Sequence, residues 1–455
     1  MGVMKSGYIL NGLDKQYAFT YDRELLQLVP KDEKEIKPYD CFVNMVVEKE
    51  LLSGTTVPDK SSIFFLKCTL QRNNSGYIAK PAGYICFDDN VNKFRTMVFK
   101  GEVINYFYRP NQILGADSEY PMESDGGGKL IIKKFSEITK RKSVNIAGEK
   151  ADFVVSISRP QFPKFMKAAY SLGIPRSFVR LEFENDIPVE KFAEIYLWIQ
   201  NFFEFLNFRK SVFVEEIELG TYTQEERVLK KADVHLLHKR EIDLDNPDLT
   251  IGYYFIEEKL DALLNVLNSE KLNMMFIPVN RKADNYIDPQ KYMLCCSSFE
   301  SVFNYCFPNK KMEENKKFKD AKLSVLKFIE EKDEEYKGKD GAIRKEYSSL
   351  KRIIELSDFS LEQKYRWCLE EYADYILDYC ERIYQKCNLN QKQIEEIPRL
   401  FALKRNTLIH SNIENIEEEE VAAYAIMRYL IYFIILHRIG IPEKLVKNAV
   451  ECIFL

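Results

Sequence analysis

Histidine is scarce in this chain, at four in 455 residues, so chemistry that needs a titrating imidazole rests on very few positions. His235 and His238 have HxxH spacing, but no second ligand pair follows and Asp233 is a weak third, so zinc is not expected there. Cysteine pairs of the CxxC type are missing altogether. The ten cysteines (Cys41, Cys68, Cys86, Cys295, Cys296, Cys306, Cys368, Cys380, Cys387 and Cys452) are scattered, several of them within apolar periodic runs. That pattern argues for reduced, buried thiols in a cytoplasmic protein and against a disulfide framework. A secretory segment is not expected either, because the first residues run directly into polar, strand-like sequence. Long hydrophobic stretches are limited to Val421–Leu436, which contains Arg428 and falls short of the ~20 residues a bilayer requires. This run reads as a buried core helix, and no membrane partner is expected. Charge of one sign is lacking too: the net charge of −4 excludes a constitutive nucleic-acid coat but not one local cleft that meets RNA.

What is present is apolar and aromatic. Hydrophobic residues make up 46% and aromatics 13%, with 31 Phe and 27 Tyr, enough for substantial cores over two to four domains. Residues 1–160 read as a β-rich domain, sandwich- or barrel-like. Strand-like segments at Ser6–Leu13, Gln16–Tyr21, Glu24–Val29, Cys41–Glu48, Ile63–Leu70, Tyr77–Phe87 and Met97–Tyr108 are separated by turn sequences such as Asn73-Asn74-Ser75-Gly76. The glycine run Gly126-Gly127-Gly128 fails as a phosphate loop, since no Lys-Ser/Thr and helix onset follow it. Residues 161–285 form a mixed α/β segment, either part of the first domain or separate. It holds a strand at Phe178–Phe183, an amphipathic helix over Val189–Phe208, a strand at Val212–Leu219, a helix at Phe255–Leu267 and a strand at Leu272–Pro278. Residues 286–455 carry only helix signals. The periodicity predicts helices at Lys291–Phe307, two within the charged stretch Asn309–Lys351, a long one from a Ser360–Gln363 capping box through Cys387, then Gln393–His410 and Glu417–Arg438. The fold class expected is α+β multidomain, with an all-α bundle at the C-terminus.

Within that bundle the segment Arg405-Asn406-Thr407-Leu408-Ile409-His410 stands at a helix end. Such a set suits RNA cleavage by the substrate's own 2′-hydroxyl. A histidine titrates near neutral pH and can take the hydroxyl proton or supply one to the leaving oxygen. An arginine fork matches a phosphate and neutralises its developing charge. Chemistry of this kind needs neither metal nor cofactor, and none is expected. Five residues along a regular helix give about 140° of rotation and about 7.5 Å of rise, so the two side chains do not converge on a straight helix. Convergence then requires a frayed last turn near Ser411 and Asn412, or two copies that each contribute one Arg and one His.

The motif and its helical setting resemble the HEPN ribonuclease superfamily, whose signature is Arg, a polar residue, three variable residues and His on a helical bundle. The resemblance is to the ApeA-like branch of phage-defence proteins. Ser297-Ser298-Phe299-Glu300-Ser301-Val302-Phe303 is similar to that branch's opening-helix pattern, and Val189–Leu219 is similar to its N-terminal region. The match is motif-level over 290–440 and architectural over 1–285; Ser411-Asn412 departs from the aromatic and acidic pair that often follows the His. The resemblance implies a metal-independent endoribonuclease with His410 as acid/base, Arg405 as phosphate stabiliser and Asn406 as orienting donor. Glu300 and Lys404 stand as supporting residues. It also implies an RNA substrate, a homodimer in which two motifs form one cleft, and a β-rich part that senses a phage-derived trigger.

A plainer reading competes with it. Arg405 pairs with Glu395 or Glu396, His410 closes its helix where a cation suits the dipole, Lys404 is merely exposed, and the bundle serves interaction, dimerisation or RNA docking without catalysis. A nucleotidyltransferase signature of Gly-Ser with paired Asp is not present in the chain.

Overall fold

The computed structural model describes residues 4–13, 16–31, 46–73, 76–116, 130–158, 175–210, 212, 214, 216–222, 228–237, 249–308, 310, 316–337, 341–355, 361–410 and 416–454. Two compact units emerge, Met1–Asn268 with Val279–Arg281, and Ser269–Pro278 with Lys282–Phe454.

In the first unit, alternating side chains build a barrel. The strands are β1 (Lys5–Asn11), β2 (Tyr17–Asp22), β3 (Leu25–Pro30), β4 (Val46–Thr56), β5 (Ser62–Asn73) and β6 (Gly76–Phe87). In β2, Tyr17, Phe19 and Tyr21 alternate inward with Ala18 and Thr20 outward, the period-2 pattern of a half-buried strand. All neighbours are antiparallel, in the order β6-β3-β2-β1-β4-β5, and β5 pairs again with β6, so the six strands close on themselves. Closure removes free edges. The interior is filled by Ile9, Phe19, Tyr21, Leu26, Leu28, Leu52, Ile63, Phe65 and Leu70, with Phe19 meeting Phe65 edge-on at 5.3 Å. At Gly7 any Cβ would lie 1.9 Å from the Thr55 carbonyl oxygen, so only glycine lets β1 approach β4 there.

Strand β6 also opens a second sheet. Along one side it pairs with β5; on the other, Tyr77–Ala79 pair with β3 and Gly83–Phe87 with a later strand. The remaining elements of this unit are β7 (Lys93–Lys100), α1 (Glu102–Phe107), the pair β8 (Leu114–Ala116) and β9 (Leu130–Ile132), α2 (Phe135–Ile138), β10 (Lys140–Ile146), β11 (Glu149–Ser158), β12 (Arg176–Pro188), α3 (Phe192–Asn207), β13 (Glu216–Tyr222), β14 (Val228–Leu236), α4 (Tyr253–Ile256) and α5 (Leu260–Leu267). The order is β10-β11-β12-β7-β13-β14-β6. Because β7 lies between β12 and β13, residues on either side of 160 share one sheet. One face is covered by α1, α2, α3 and α5, with Phe107 edge-on to Phe153, Phe202, Phe203 and Tyr253 at the centre. The other face is polar.

Two expectations fail here. The predicted strand Met97–Tyr108 ends at Lys100; Gly101 stands at the N-cap of α1, whose Val103, Ile104 and Phe107 are buried together at helical spacing. The predicted strand over Leu272–Pro278 is irregular and belongs to the second unit. Its Phe276 and Ile277 are buried, and the Asn273 amide donates to Ser301 Oγ at 2.9 Å.

The second unit consists of α6 (Arg281–Asp284, apart from its first residue), α7 (Pro289–Cys306), α8 (Lys316–Glu335), α9 (Gly341–Glu355), α10 (Leu361–Glu371), α11 (Ala373–Lys386), α12 (Gln391–His410), α13 (Glu418–Arg438) and α14 (Glu443–Phe454). Asp288 caps α7 by accepting from the Lys291 amide at 2.8 Å, with Pro289 at the first helical position. Helix α13 is the centre and packs on α7, α11, α12 and α14. It is long and apolar enough to cross a membrane by composition, yet 78% of its most apolar window is buried within the protein, which makes it a core helix. Each of its buried Leu, Ile and Phe side chains contributes roughly 1.5–3 kcal/mol by leaving water.

The expected long helix through Cys387 is two helices, α10 and α11, joined at Tyr372, whose ring packs on Phe433 and His437. Ser360 lies outside the described residues, as do Gly126-Gly127-Gly128, Ser411 and Asn412. Among the described cysteines none is bonded to another.

Candidate active site

Helix α12 starts with a reciprocal cap: the Asn390 amide donates to Gln393 Oε1 at 2.9 Å and the Gln393 amide to Asn390 Oδ1 at 3.1 Å. Ile397, Phe401 and Lys404 then fall on its buried face at four- and three-residue spacing. Phe401 packs on Tyr292 of α7 and Tyr365 of α10, at 5.0 and 5.4 Å between ring centres.

That packing brings charged groups from three helices together. Lys404 Nζ lies 3.3 Å from Glu420 Oε2 on α13, with side chains only 7% and 11% exposed. The expected alternative of a merely exposed lysine is therefore corrected: the side chain sits at a core position and snorkels to a carboxylate. Glu420 is itself fixed by the first turn of α13, accepting from the Glu417 amide at 2.8 Å.

Arg405 is one residue further round the helix. Its Nη2 donates to Glu300 Oε2 of α7 at 3.0 Å, the two side chains being 33% and 26% exposed. The carboxylate that pairs with it is neither Glu395 nor Glu396. Glu395 accepts from Gln391, and Glu396 pairs with Arg399 at 3.1 Å. The contact with Glu300 uses one Nη, so the guanidinium keeps further N–H donors for a phosphate. One turn before Glu300, Cys296 is buried, and burial pushes its thiol far above the usual range, so it is no nucleophile at neutral pH. The Tyr292 hydroxyl is buried beside it and finds no partner among the described residues.

Asn406 is exposed on the same helix. His410 is the last residue of α12, and the helical backbone runs unbroken from Arg405 to it; its imidazole lies outside the described residues. The backbone thus keeps Arg405 and His410 on different faces, about 140° apart.

Elsewhere, His235 stacks on Tyr84 with ring centres 4.5 Å apart, and burial lowers its pKa. His238 lies outside the described residues, and no cluster of three metal-ligating side chains occurs among those described. His437 closes α13 and meets Glu443 at 3.3 Å.

Two features carried no sequence signal: the Lys404–Glu420 pair, and a cavity on the polar face of the second sheet, lined by Arg95, Arg141, Arg180 and Glu182 among others. Both depend on partners far apart in sequence. Comparison with known proteins returned no match, whether to a family model, a curated protein or a solved structure.

Proposed function

We propose that the helical unit is a metal-independent endoribonuclease of the HEPN type, acting in anti-phage defence under control of the β-rich unit. The observation that carries this reading is Arg405: a third exposed, held among the described residues by a contact from Glu300, on the helix that ends at His410. A guanidinium steadied by a carboxylate through Nη2, with its other nitrogens unengaged among the described residues, suits a scissile phosphate. In this reading His410 takes the 2′-hydroxyl proton or protonates the leaving 5′-oxygen, Arg405 neutralises the phosphorane, and Asn406 donates an orienting hydrogen bond. Attack of the 2′-oxygen forms a 2′,3′-cyclic phosphate and frees a 5′-hydroxyl. The placement of the two positions about 140° apart round the α12 backbone favours a homodimer, in which the Arg of one copy works with the His of the other. RNA is the substrate, the cytoplasm is the compartment, and a phage-derived component engages the β-rich unit to release activity.

A second reading, a non-catalytic dimerisation or RNA-docking module, draws on the same ion pair, since Glu300 offsets the charge that Arg405 would offer a phosphate. Sequencing of RNA ends after induction separates the two. Wild type should generate new 5′-hydroxyl ends, and Arg405→Ala and His410→Ala should each lower their yield by about 10²–10⁴-fold while the proteins stay folded. Equal end profiles for wild type and both variants would leave the docking reading standing.

A further inference from the structure

The polar face of the second sheet in the β-rich unit carries a cavity of about 580 Å³, within the range that holds a drug-sized molecule and much larger than a single ion requires. Strand register builds it. Ser143, Asp152, Glu182 and Thr96 stand in one row across β10, β11, β12 and β7, and Arg141, Val154, Arg180 and Val98 in the next. Three arginines converge on this space, and each is immobilised. Arg141 Nη1 meets Asp152 Oδ2 at 2.6 Å and Glu182 Oε2 at 2.7 Å. Arg180 donates from Nε to Glu182 Oε1 at 2.6 Å and pairs with the same oxygen through Nη2. Arg95 is anchored to main chain instead, from Nε to the Phe183 carbonyl at 3.2 Å and from Nη2 to the Glu184 carbonyl at 2.8 Å, and its guanidinium lies over the Tyr222 ring.

The acceptors are already engaged. Glu182, 8% exposed, takes both Arg141 and Arg180. The Tyr222 hydroxyl, raised to about 12 by burial and by the Glu182 carboxylate, stays protonated. Asp152 is held by Arg141, and Glu184 lies at the exposed margin of the same cavity. Three guanidiniums with five N–H donors apiece thus face three carboxylates, so the fixed charges balance, and what the cavity offers in excess is N–H donors. Rigid arginine forks of this kind match tetrahedral and planar oxyanions, and their immobility lowers the entropy lost on binding.

We propose that this cavity binds a small phosphorylated molecule of mononucleotide size, with the phosphoryl group against Arg95, Arg141 and Arg180. The site lies wholly in the β-rich unit and stands independently of the ribonuclease reading. Free phosphate and a phosphate ester share the recognition chemistry; the volume favours the ester.

The test is calorimetric titration of the full-length protein with inorganic phosphate, with each common mononucleotide, and with citrate as a polycarboxylate. At least one mononucleotide should saturate and bind more tightly than inorganic phosphate. Arg95→Gln should weaken that binding by tenfold or more. Ser143→Trp, which fills the cavity from β10 without removing an ion pair, should do the same with the circular dichroism unchanged. Arg405→Ala and His410→Ala should leave the affinity as it is, so loss of nuclease activity and loss of this site are read separately. Absence of saturation by phosphate and by every mononucleotide, tighter binding of citrate, or binding that survives both Arg95→Gln and Ser143→Trp would each overturn the assignment.

Discussion

Neighbouring residues of α12 hold their charges on different terms. Lys404 and Glu420 are both nearly removed from water, so each depends on the other to offset its desolvation. Removing Lys404 takes from the buried Glu420 carboxylate its paired cation. Lys404→Ala should therefore lower unfolding stability by about 3–5 kcal/mol, and the double change Lys404→Met with Glu420→Met should cost much less, because the pair can be replaced by apolar volume. Urea unfolding of the three proteins checks this; equal losses in the single and double variants would mean that packing volume, not charge, is what matters. Arg405 and Glu300, a quarter to a third exposed, contribute about 1 kcal/mol or less by comparison. The difference was not legible in the sequence. Local spacing points Arg405 to Glu395 or Glu396, whereas its partner is 105 positions away on α7, a contact that only tertiary packing creates.

Elements were read best where one periodicity ran without interruption. The amphipathic stripe of α3 and the apolar run of α13 each mark a surface that must be buried, and each element appears where expected. Reading failed where composition and backbone disagreed. Met97–Tyr108 is β-rich by residue type, but Gly101 stops the strand and the next buried residues follow helical spacing. At Tyr372 the buried stripe continues across a joint, so periodicity alone merges α10 with α11. Helix α3 also carries a pH-sensitive group. Burial raises the carboxyl of Glu204 from 4.5 to about 7, against the lowering effects of Gln200, which donates at 2.9 Å, and Lys210. Its folded pKa exceeds the unfolded value, so the associated stability is fully present below about 4.5 and is lost as pH rises through about 7. Between pH 5 and pH 8 the wild type should lose roughly 2 kcal/mol relative to Glu204→Gln. Parallel stability–pH curves for the two proteins would show that Glu204 titrates normally in the fold.

At the scale of the whole molecule, the α+β layout was legible because strand alternation gives way to helical periodicity along the chain, while the choice between sandwich and barrel was left open, since closure depends on β5 pairing with β6 after β6 has already taken β3. The unbroken backbone of α12 bears most directly on the proposed chemistry. With Arg405 and His410 turned about 140° apart on one helix, a site built within one chain must rely on side-chain reach alone, whereas a two-fold pairing lets each copy supply the group the other lacks. Co-expression of Arg405→Ala with His410→Ala distinguishes these cases. Random pairing makes half of the dimers mixed, and each mixed dimer retains one intact Arg and one intact His across its interface, so about a quarter of wild-type cleavage should return. A site confined to a single chain gives no recovery in the mixture, because every protomer then lacks one of its two essential groups.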